Sequence, residues 1–123
     1  MIDHFNLSIS DLEPSQRFYE RVLEPLGYHF LIRDGAAAGF GRDVWSFGIV
    51  VAVPPLPRLH VAFEAASRSQ VDHFFAAALS AGATPNGSPG IRPEYDPNYY
   101  AAFVHDPDGH NIEAVCRQPK AVA

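Results

Sequence analysis

Two histidines and one glutamate in this chain have the types and positions expected of metal ligands. His4 and His60 each stand near the start of a segment of alternating polar and apolar residues, and Glu113 stands in an apolar segment near the end. Two imidazoles and one carboxylate bind a divalent cation on one side and leave coordination positions free for water or substrate oxygens. Such an open site acts as a Lewis acid. The three residues therefore predict a centre for iron, manganese, nickel, zinc or cobalt, whose identity the ligand set does not decide.

An internal repeat relates the two histidines. Laying the second half of the sequence on the first aligns His4 with His60 and Phe18 with Phe74. A single strand histidine is more often a surface or hydrogen-bonded residue than a ligand. Here the repeat gives both histidines the same place on the polar face of an opening strand, which favours a shared role.

Hydrophobic periodicity and turn signals predict that each half is a β-α-β-β-β module. The first half is predicted to have strands at 2–9, 28–33, 37–41 and 44–53 and a helix at 12–26; the second half is predicted to have strands at 59–64, 83–85, 99–105 and 110–116 and a helix at 68–81. Residues 85–98 contain four prolines and are predicted to form a loop.

The predicted fold class is α+β, with two paired modules that form a cupped mixed sheet in a single domain over 1–123. Module one covers about 1–53, a proline-rich linker covers 54–57, and module two covers about 58–117. If the opening strands lie side by side, His4 and His60 point into one cavity that Glu113 can join.

The proline-stiffened loop and the strand after it offer candidate catalytic residues. Tyr99 and Tyr100 could each donate a hydrogen bond to an oxygen held by the metal. The competing interpretation is that one of them packs in the core. His105 and His110 flank the turn at 106–109 and are predicted to be exposed.

Four further residues are candidates for substrate binding. Arg92 could hold a carboxylate or phosphonate through two parallel hydrogen bonds, and Tyr95 lies in the same loop. Trp45 and Phe47 fall on the fourth strand and could line the pocket, although core packing is the competing interpretation.

Composition limits the partners and the compartment. The chain has 123 residues, 47% hydrophobic and 19% charged, with a net charge of −5 and nine scattered basic residues, which argues against nucleic acid as a partner. No apolar run reaches the roughly 18 residues of a membrane span, and no secretory signal is visible at the N-terminus. Cys116 is the only cysteine, which excludes an internal disulfide and fits a cytoplasmic location.

The chain resembles the vicinal oxygen chelate superfamily, which includes glyoxalase I, extradiol dioxygenases, and fosfomycin and bleomycin resistance proteins. The resemblance lies in IDHFNLSISDLEPSQRFYERVLEPLGY near the start and YYAAFVHDPDGHNIEAV near the end. It implies paired modules around a metal held by His4, His60 and Glu113. Glyoxalase I has a further carboxylate ligand on the last strand of its first module, and here the stretch 44–51 contains no acid. That departure puts glyoxalase isomerisation in doubt.

Two function classes follow. The first is a divalent-metal-dependent enzyme (lyase, isomerase or dioxygenase) that acts on a small oxygen-rich substrate. The second is a metal-independent protein that binds or sequesters an aromatic or cationic small molecule, as bleomycin resistance proteins do. The enzyme is preferred because a sequestering protein has no need of two histidines and a glutamate in register. A homodimer is expected, because small sheets with exposed edges gain by pairing and because the resemblance implies one.

Overall fold

The computed structural model describes residues 1–120, which form two four-stranded sheets and two α-helices. The elements in chain order are β1 (Phe5–Ile9), α1 (Leu12–Leu23), a 3-10 helix (Glu24–Leu26), β2 (His29–Asp34), β3 (Ala37–Gly41), β4 (Trp45–Val51), β5 (His60–Glu64), α2 (Arg68–Ser80), β6 (Thr84–Ile91), β7 (Tyr100–His105) and β8 (Asn111–Cys116). No helix among these residues is long and apolar enough to cross a membrane.

Both sheets have the same topology. The first sheet has the order β1-β4-β3-β2 and the second has the order β5-β8-β7-β6. In each sheet the opening strand runs parallel to the last strand of its module, and the other pairs are antiparallel. The predicted α+β fold of two β-α-β-β-β modules is confirmed.

Helix ends follow local sequence signals. The Ser67 hydroxyl accepts a hydrogen bond from the backbone N–H of Gln70 at 3.1 Å, which caps the N-terminus of α2. The Gln70 side chain in turn accepts from the backbone N–H of Ala66 at 2.8 Å, one residue before the usual partner in a capping box. At the other end of the first helical segment, Gly27 adopts a left-handed φ of 82° and stops the chain from continuing as a helix.

The helices pack on one face of each sheet and against each other. Leu7 and Ile9 of β1 point to this interior and are fully buried. The rings of Phe47 and Phe63 meet edge to face at 5.0 Å and join the two halves. On the opposite faces, residues such as Asn6 and His60 are exposed, so each sheet presents one open face.

A buried polar cluster also ties the two halves together. The hydroxyl of Tyr19 on α1 donates to Asp106 at 2.5 Å, and the Asp106 carboxylate also accepts from the backbone N–H of His110 at 2.9 Å. His110 accepts at Nδ1 from the backbone N–H of Leu59 at 3.0 Å, so its proton lies on Nε2, which donates to the carbonyl of Ser8 at 2.8 Å. The expectation that His110 is exposed is wrong, because its side chain is 0% exposed.

The prediction of a loop at 85–98 is wrong over the first half of that range. Residues 84–91 form β6, which pairs with β7 at the edge of the second sheet. Prolines are tolerated on an edge strand because one side of its backbone needs no partner. The pairing is irregular, with register shifts between Pro85 and Gly87 and between Gly87 and Gly90.

Candidate functional site

The open face of the second sheet brings His60 and Glu113 together. Pairing of β5 with β8 sets Ala62 opposite Glu113, and pairing of β7 with β8 sets Phe103 opposite Glu113. Because side chains alternate along a strand, His60, Phe103 and Glu113 share this face. The Nε2 atom of His60 lies 2.7 Å from the Oε1 atom of Glu113.

The Glu113 carboxylate is buried, whereas its neighbour is open to solvent. Relative exposure is 1% for the side chain of Glu113 and 53% for that of His60. A buried carboxylate is costly unless it is fully partnered. Here the Tyr99 hydroxyl donates to Oε2, the oxygen that His60 does not contact. Both oxygens of Glu113 are therefore engaged by side chains that line one groove.

Tyr99 is held as a hydrogen-bond donor. Burial, the hydrogen bond to Glu113 and the charge of Glu113 raise the pKa of Tyr99 to about 12. At neutral pH the phenol is therefore protonated and can donate to the carboxylate.

A groove of about 500 Å³ extends over this pair. It is lined by His60, Glu94, Tyr95, Tyr99, Phe103, Glu113 and Arg117. The rings of Tyr95 and Tyr99 meet edge to face at 5.1 Å, and the Arg117 guanidinium lies 4.9 Å from the centroid of the Tyr99 ring. The predicted residues His60, Tyr95, Tyr99 and Glu113 thus line one groove.

Arg117 is a groove residue that the sequence reasoning missed. It follows Glu113 and Val115 in the alternation of β8, so continuing that pattern by one step places it on the open face. The signal was therefore present, although Arg117 lies just beyond the end of the strand.

Arg92 lies beside the groove and is tied to the backbone. Its guanidinium donates to the carbonyls of Ser88 at 2.8 Å and Gly90 at 2.9 Å, and it lies 5.4 Å from the centroid of the Phe103 ring. These bonds brace the irregular edge strand β6.

Tyr100 lies on the opposite side of the second sheet from Tyr99. Its hydroxyl donates to Asp72 on α2 at 2.5 Å, and the Arg68 guanidinium lies 5.2 Å from its ring centroid. The hydrogen bond to Asp72, burial and the charge of Asp72 raise its pKa to about 12. The Tyr100 hydroxyl is thus occupied at α2, on the side of the sheet away from His60 and Glu113.

Trp45 and Phe47 face opposite sides of the first sheet. A register shift sets Phe40 opposite Phe47 but Gly41 opposite Trp45, so the alternation is interrupted between them. Phe47 is 3% exposed and packs in the core, which is the competing interpretation considered above. Trp45 is 37% exposed and lies on the open face.

His4 lies with Trp45 on the first sheet. Their ring centroids are 4.9 Å apart, and His4 Nδ1 is 2.8 Å from a carboxylate oxygen of Asp3. Within residues 1–120, no group of three or more histidine, cysteine, aspartate or glutamate side chains is arranged to hold a metal ion. One chain thus brings two of the three predicted ligands, His60 and Glu113, into contact, and among the described residues His4 is not grouped with them.

The sequence matches a known family over most of its length. Residues 1–114 match the sequence model of the Glyoxalase/Bleomycin resistance protein/Dioxygenase superfamily. The chain belongs to this superfamily. The resemblance drawn from the two motif-bearing stretches is thereby confirmed.

Individual proteins resemble this chain along nearly its whole length. It is 30% identical to the uncharacterized protein YqjT of Bacillus subtilis, an alignment that covers 91% of this chain and 95% of the relative. A crystal structure of a glyoxalase/bleomycin resistance protein from Albidiferax ferrireducens T118 shares 29% identity and a TM-score of 0.81, covering 92% of this chain and 96% of the other. Fosfomycin resistance protein FosX from Mesorhizobium loti shares the fold, at 18% identity and a TM-score of 0.69, covering 92% and 88%.

The donor set on the second sheet fits the divalent ions that superfamily members use. An imidazole nitrogen and a carboxylate oxygen in contact supply two ligands that iron, manganese, nickel, zinc and cobalt accept. The second oxygen of the carboxylate is oriented by Tyr99, the kind of support that metal-binding carboxylates usually have.

Proposed function

We propose that this protein is a divalent-metal-dependent enzyme that acts on a small oxygen-rich substrate by chelation. The observation that carries the proposal is the contact between His60 Nε2 and Glu113 Oε1, at 2.7 Å, in a groove of a superfamily member. When bound, the ion supplies a Lewis acid that stabilises negative charge on substrate oxygens. Lyase, isomerase and dioxygenase chemistry all use this property.

His60 and Glu113 hold the ion, and Tyr99 positions the carboxylate. Glu113 is buried and cannot swing freely, so its Oε1 atom stays beside His60. Tyr99 keeps the other oxygen occupied by donating its phenol hydrogen to it. The exposed ring of His60 leaves the groove side open to solvent and substrate.

His4 of a second copy completes the ligand set in a homodimer. The His4 side chain is 52% exposed, lies beside Trp45 of the first sheet, and is not grouped with the pair on the second sheet among the described residues. The edge strand β2 exposes Phe30, Leu31 and Ile32 in succession, which supports an interface in this part of the chain. In such a dimer, the open face of the first sheet in one copy lies against the open face of the second sheet in the other copy, and the three ligands come together.

Metal content tests the proposal. The protein, purified without chelators, is expected to carry one divalent ion per chain by elemental analysis. His60→Ala, Glu113→Gln and His4→Ala each lose it, whereas His29→Ala keeps it, because the exposed His29 side chain is paired with Glu24 and is not part of the proposed site. Equal metal content in wild type and His60→Ala would overturn the assignment.

Light scattering tests the shared site. We expect the mass of a dimer at micromolar concentration, and a mixture of His4→Ala and His60→Ala proteins is expected to regain metal at one site per mixed dimer. A monomeric mass, or no recovery in the mixture, would rule out completion by a second copy.

We also propose that the protein works in the reducing cytoplasm. Cys116, the only cysteine of the sequence, is a free thiol buried at the end of β8. Localisation of a tagged chain by cell fractionation would test this.

A further inference from the structure

We propose that Arg117 is a specificity-determining residue that binds an oxyanion of the substrate, so that the groove selects small, flat anions. This inference rests on the proposed function, because it names the class of molecule that reaches the pair His60 and Glu113. It assigns a role to a residue that stands outside the ligand set.

The position of Arg117 directs its charge into the groove. The groove is lined by Tyr99, Phe103, Glu113 and Arg117. Arg117 continues the alternation of β8 two residues beyond Val115. Its guanidinium lies over the Tyr99 ring, 4.9 Å from the ring centroid. Contact with the face of an aromatic ring attracts the guanidinium and restricts its movement.

The hydrogen-bond donors of Arg117 are available to a ligand. Among residues 1–120, its side chain makes no ion pair and donates no hydrogen bond, even though Glu94 and Glu113 line the same groove. Arg92 differs, because it donates to two backbone carbonyls of β6. A guanidinium held over a ring with its N–H donors free suits a carboxylate, phosphate or phosphonate, which it can bind through two parallel hydrogen bonds.

The negative charge of the Glu113 carboxylate, which would repel an anion, has a hydrogen-bonding partner at each oxygen. One of its oxygens accepts a hydrogen bond from the Tyr99 hydroxyl, and the other lies 2.7 Å from His60 Nε2. Glu94 is the remaining acid of the groove lining. We therefore expect an anion to bind at the Arg117 guanidinium.

Aromatic side chains determine the shape of ligand that fits beside Arg117. Tyr95, Tyr99 and Phe103 contribute rings to the groove, and Tyr95 is 66% exposed. Such walls favour a planar, aromatic or conjugated body over a branched one. The ligand class is thus a flat molecule that bears an oxyanion, with its metal-binding oxygens near His60.

A pair of isosteric probes tests the assignment. Benzoate and benzamide have the same shape and differ in charge, so their binding to full-length protein in excess chelator reports on anion recognition alone. Wild type is expected to bind benzoate at least about tenfold more tightly than benzamide, as charge-assisted hydrogen bonds predict. Backbone amide shifts in the NMR spectrum should move at residues 113–117.

Variants separate Arg117 from general charge effects. Arg117→Gln should abolish the preference for benzoate, Arg117→Lys should keep part of it, and Arg17→Gln should keep all of it, since Arg17 lies on α1 and pairs with Glu13. Equal binding of the two probes by wild type, no binding of either, or an unchanged preference in Arg117→Gln would overturn the proposal.

Metal content of the same variants keeps the two proposals distinguishable. Arg117→Gln should retain the ion that His60→Ala loses. If His60→Ala retains its ion while Arg117→Gln loses the benzoate preference, the metal proposal fails and the anion site stands.

Discussion

Tyr99 donates a hydrogen bond to the oxygen of Glu113 that His60 does not contact. The carboxylate is thus held from two sides in the groove, with Oε1 directed toward His60. Loss of the phenol hydroxyl should let the carboxylate turn without removing any ligand atom.

Tyr99→Phe is therefore expected to weaken divalent metal binding by about tenfold to a hundredfold, as loss of a residue that orients a ligand typically does. Titration against a chromophoric chelator measures the change. Tyr95→Phe is the matched control, because its ring contacts Tyr99 but its hydroxyl does not bond to Glu113. Equal losses in the two variants would show that ring packing, and not the hydrogen bond, is responsible.

The raised pKa values predict the behaviour of the tyrosines at alkaline pH. Burial and the neighbouring charge of Asp106 raise the pKa of Tyr19 well above its ordinary value, and the pKa values of Tyr99 and Tyr100 are about 12. Tyrosines of the unfolded chain ionise near pH 10. In the native protein these three phenols stay protonated at about pH 10. Their contribution to the free energy of unfolding is therefore complete below about pH 10 and falls as the pH rises toward the native pKa.

Urea unfolding at a series of pH values checks this expectation. The free energy of unfolding should fall with rising pH above about 10, and Tyr100→Phe should flatten that decline. A decline of the same slope in Tyr100→Phe would contradict the assignment of its raised pKa.

Replacement of His110 should destabilise the protein without altering the groove. His110→Ala leaves the backbone N–H of Leu59 and the carbonyl of Ser8 without their partner, which should cost about 2–4 kcal/mol together with the lost packing. His73→Ala, at an exposed position on α2, should cost less than about 0.5 kcal/mol. Urea titration gives both values, and metal content measured at low temperature should be unchanged in both variants.

Gly41→Ala should disrupt the register shift that brings Trp45 to the open face. A Cβ atom at Gly41 would lie 2.0 Å from the carbonyl oxygen of Val44 and 3.0 Å from Cα of Trp45, and both are backbone atoms that cannot rotate away. We expect a loss of about 1–3 kcal/mol and a red-shifted Trp45 fluorescence maximum. Gly48→Ala is the comparison, since its Cβ would meet the Asn6 side chain, which can move. A milder effect at Gly41 than at Gly48 would contradict the argument.

Periodicity was sufficient to predict the repeated module, because Phe18 and Phe74 occupy matching positions on helices that bury them. It was insufficient wherever a local irregularity reverses the alternation. The register shift beside Trp45 separates it from Phe47, and the prolines of β6 resemble those of a loop because edge strands tolerate them. The burial of His110 depends on partners far away in sequence, Ser8 and Leu59, which no local pattern reveals.

The candidate site, too, could be predicted from the sequence only in part. The contact of His60 with Glu113 could be predicted from the repeat and from the alternation of residues along β8. The placement of His4 beside Trp45 could not, because the relative position of the two sheets depends on how α1 and α2 pack. Tyr99 and Tyr100 are adjacent in the chain but lie on opposite sides of the second sheet. Tyr99 therefore lines the groove, whereas Tyr100 is hydrogen-bonded to α2.

The prolines of β6 have a consequence for strand addition. Pro85 and Pro89 have no backbone N–H, so the outer edge of the second sheet lacks a continuous row of donors for a foreign strand. The outer edge of the first sheet, β2, has no proline and exposes Phe30, Leu31 and Ile32. Backbone pairing with another strand is therefore blocked at the β6 edge and open at the β2 edge, where the proposed second copy would meet this chain.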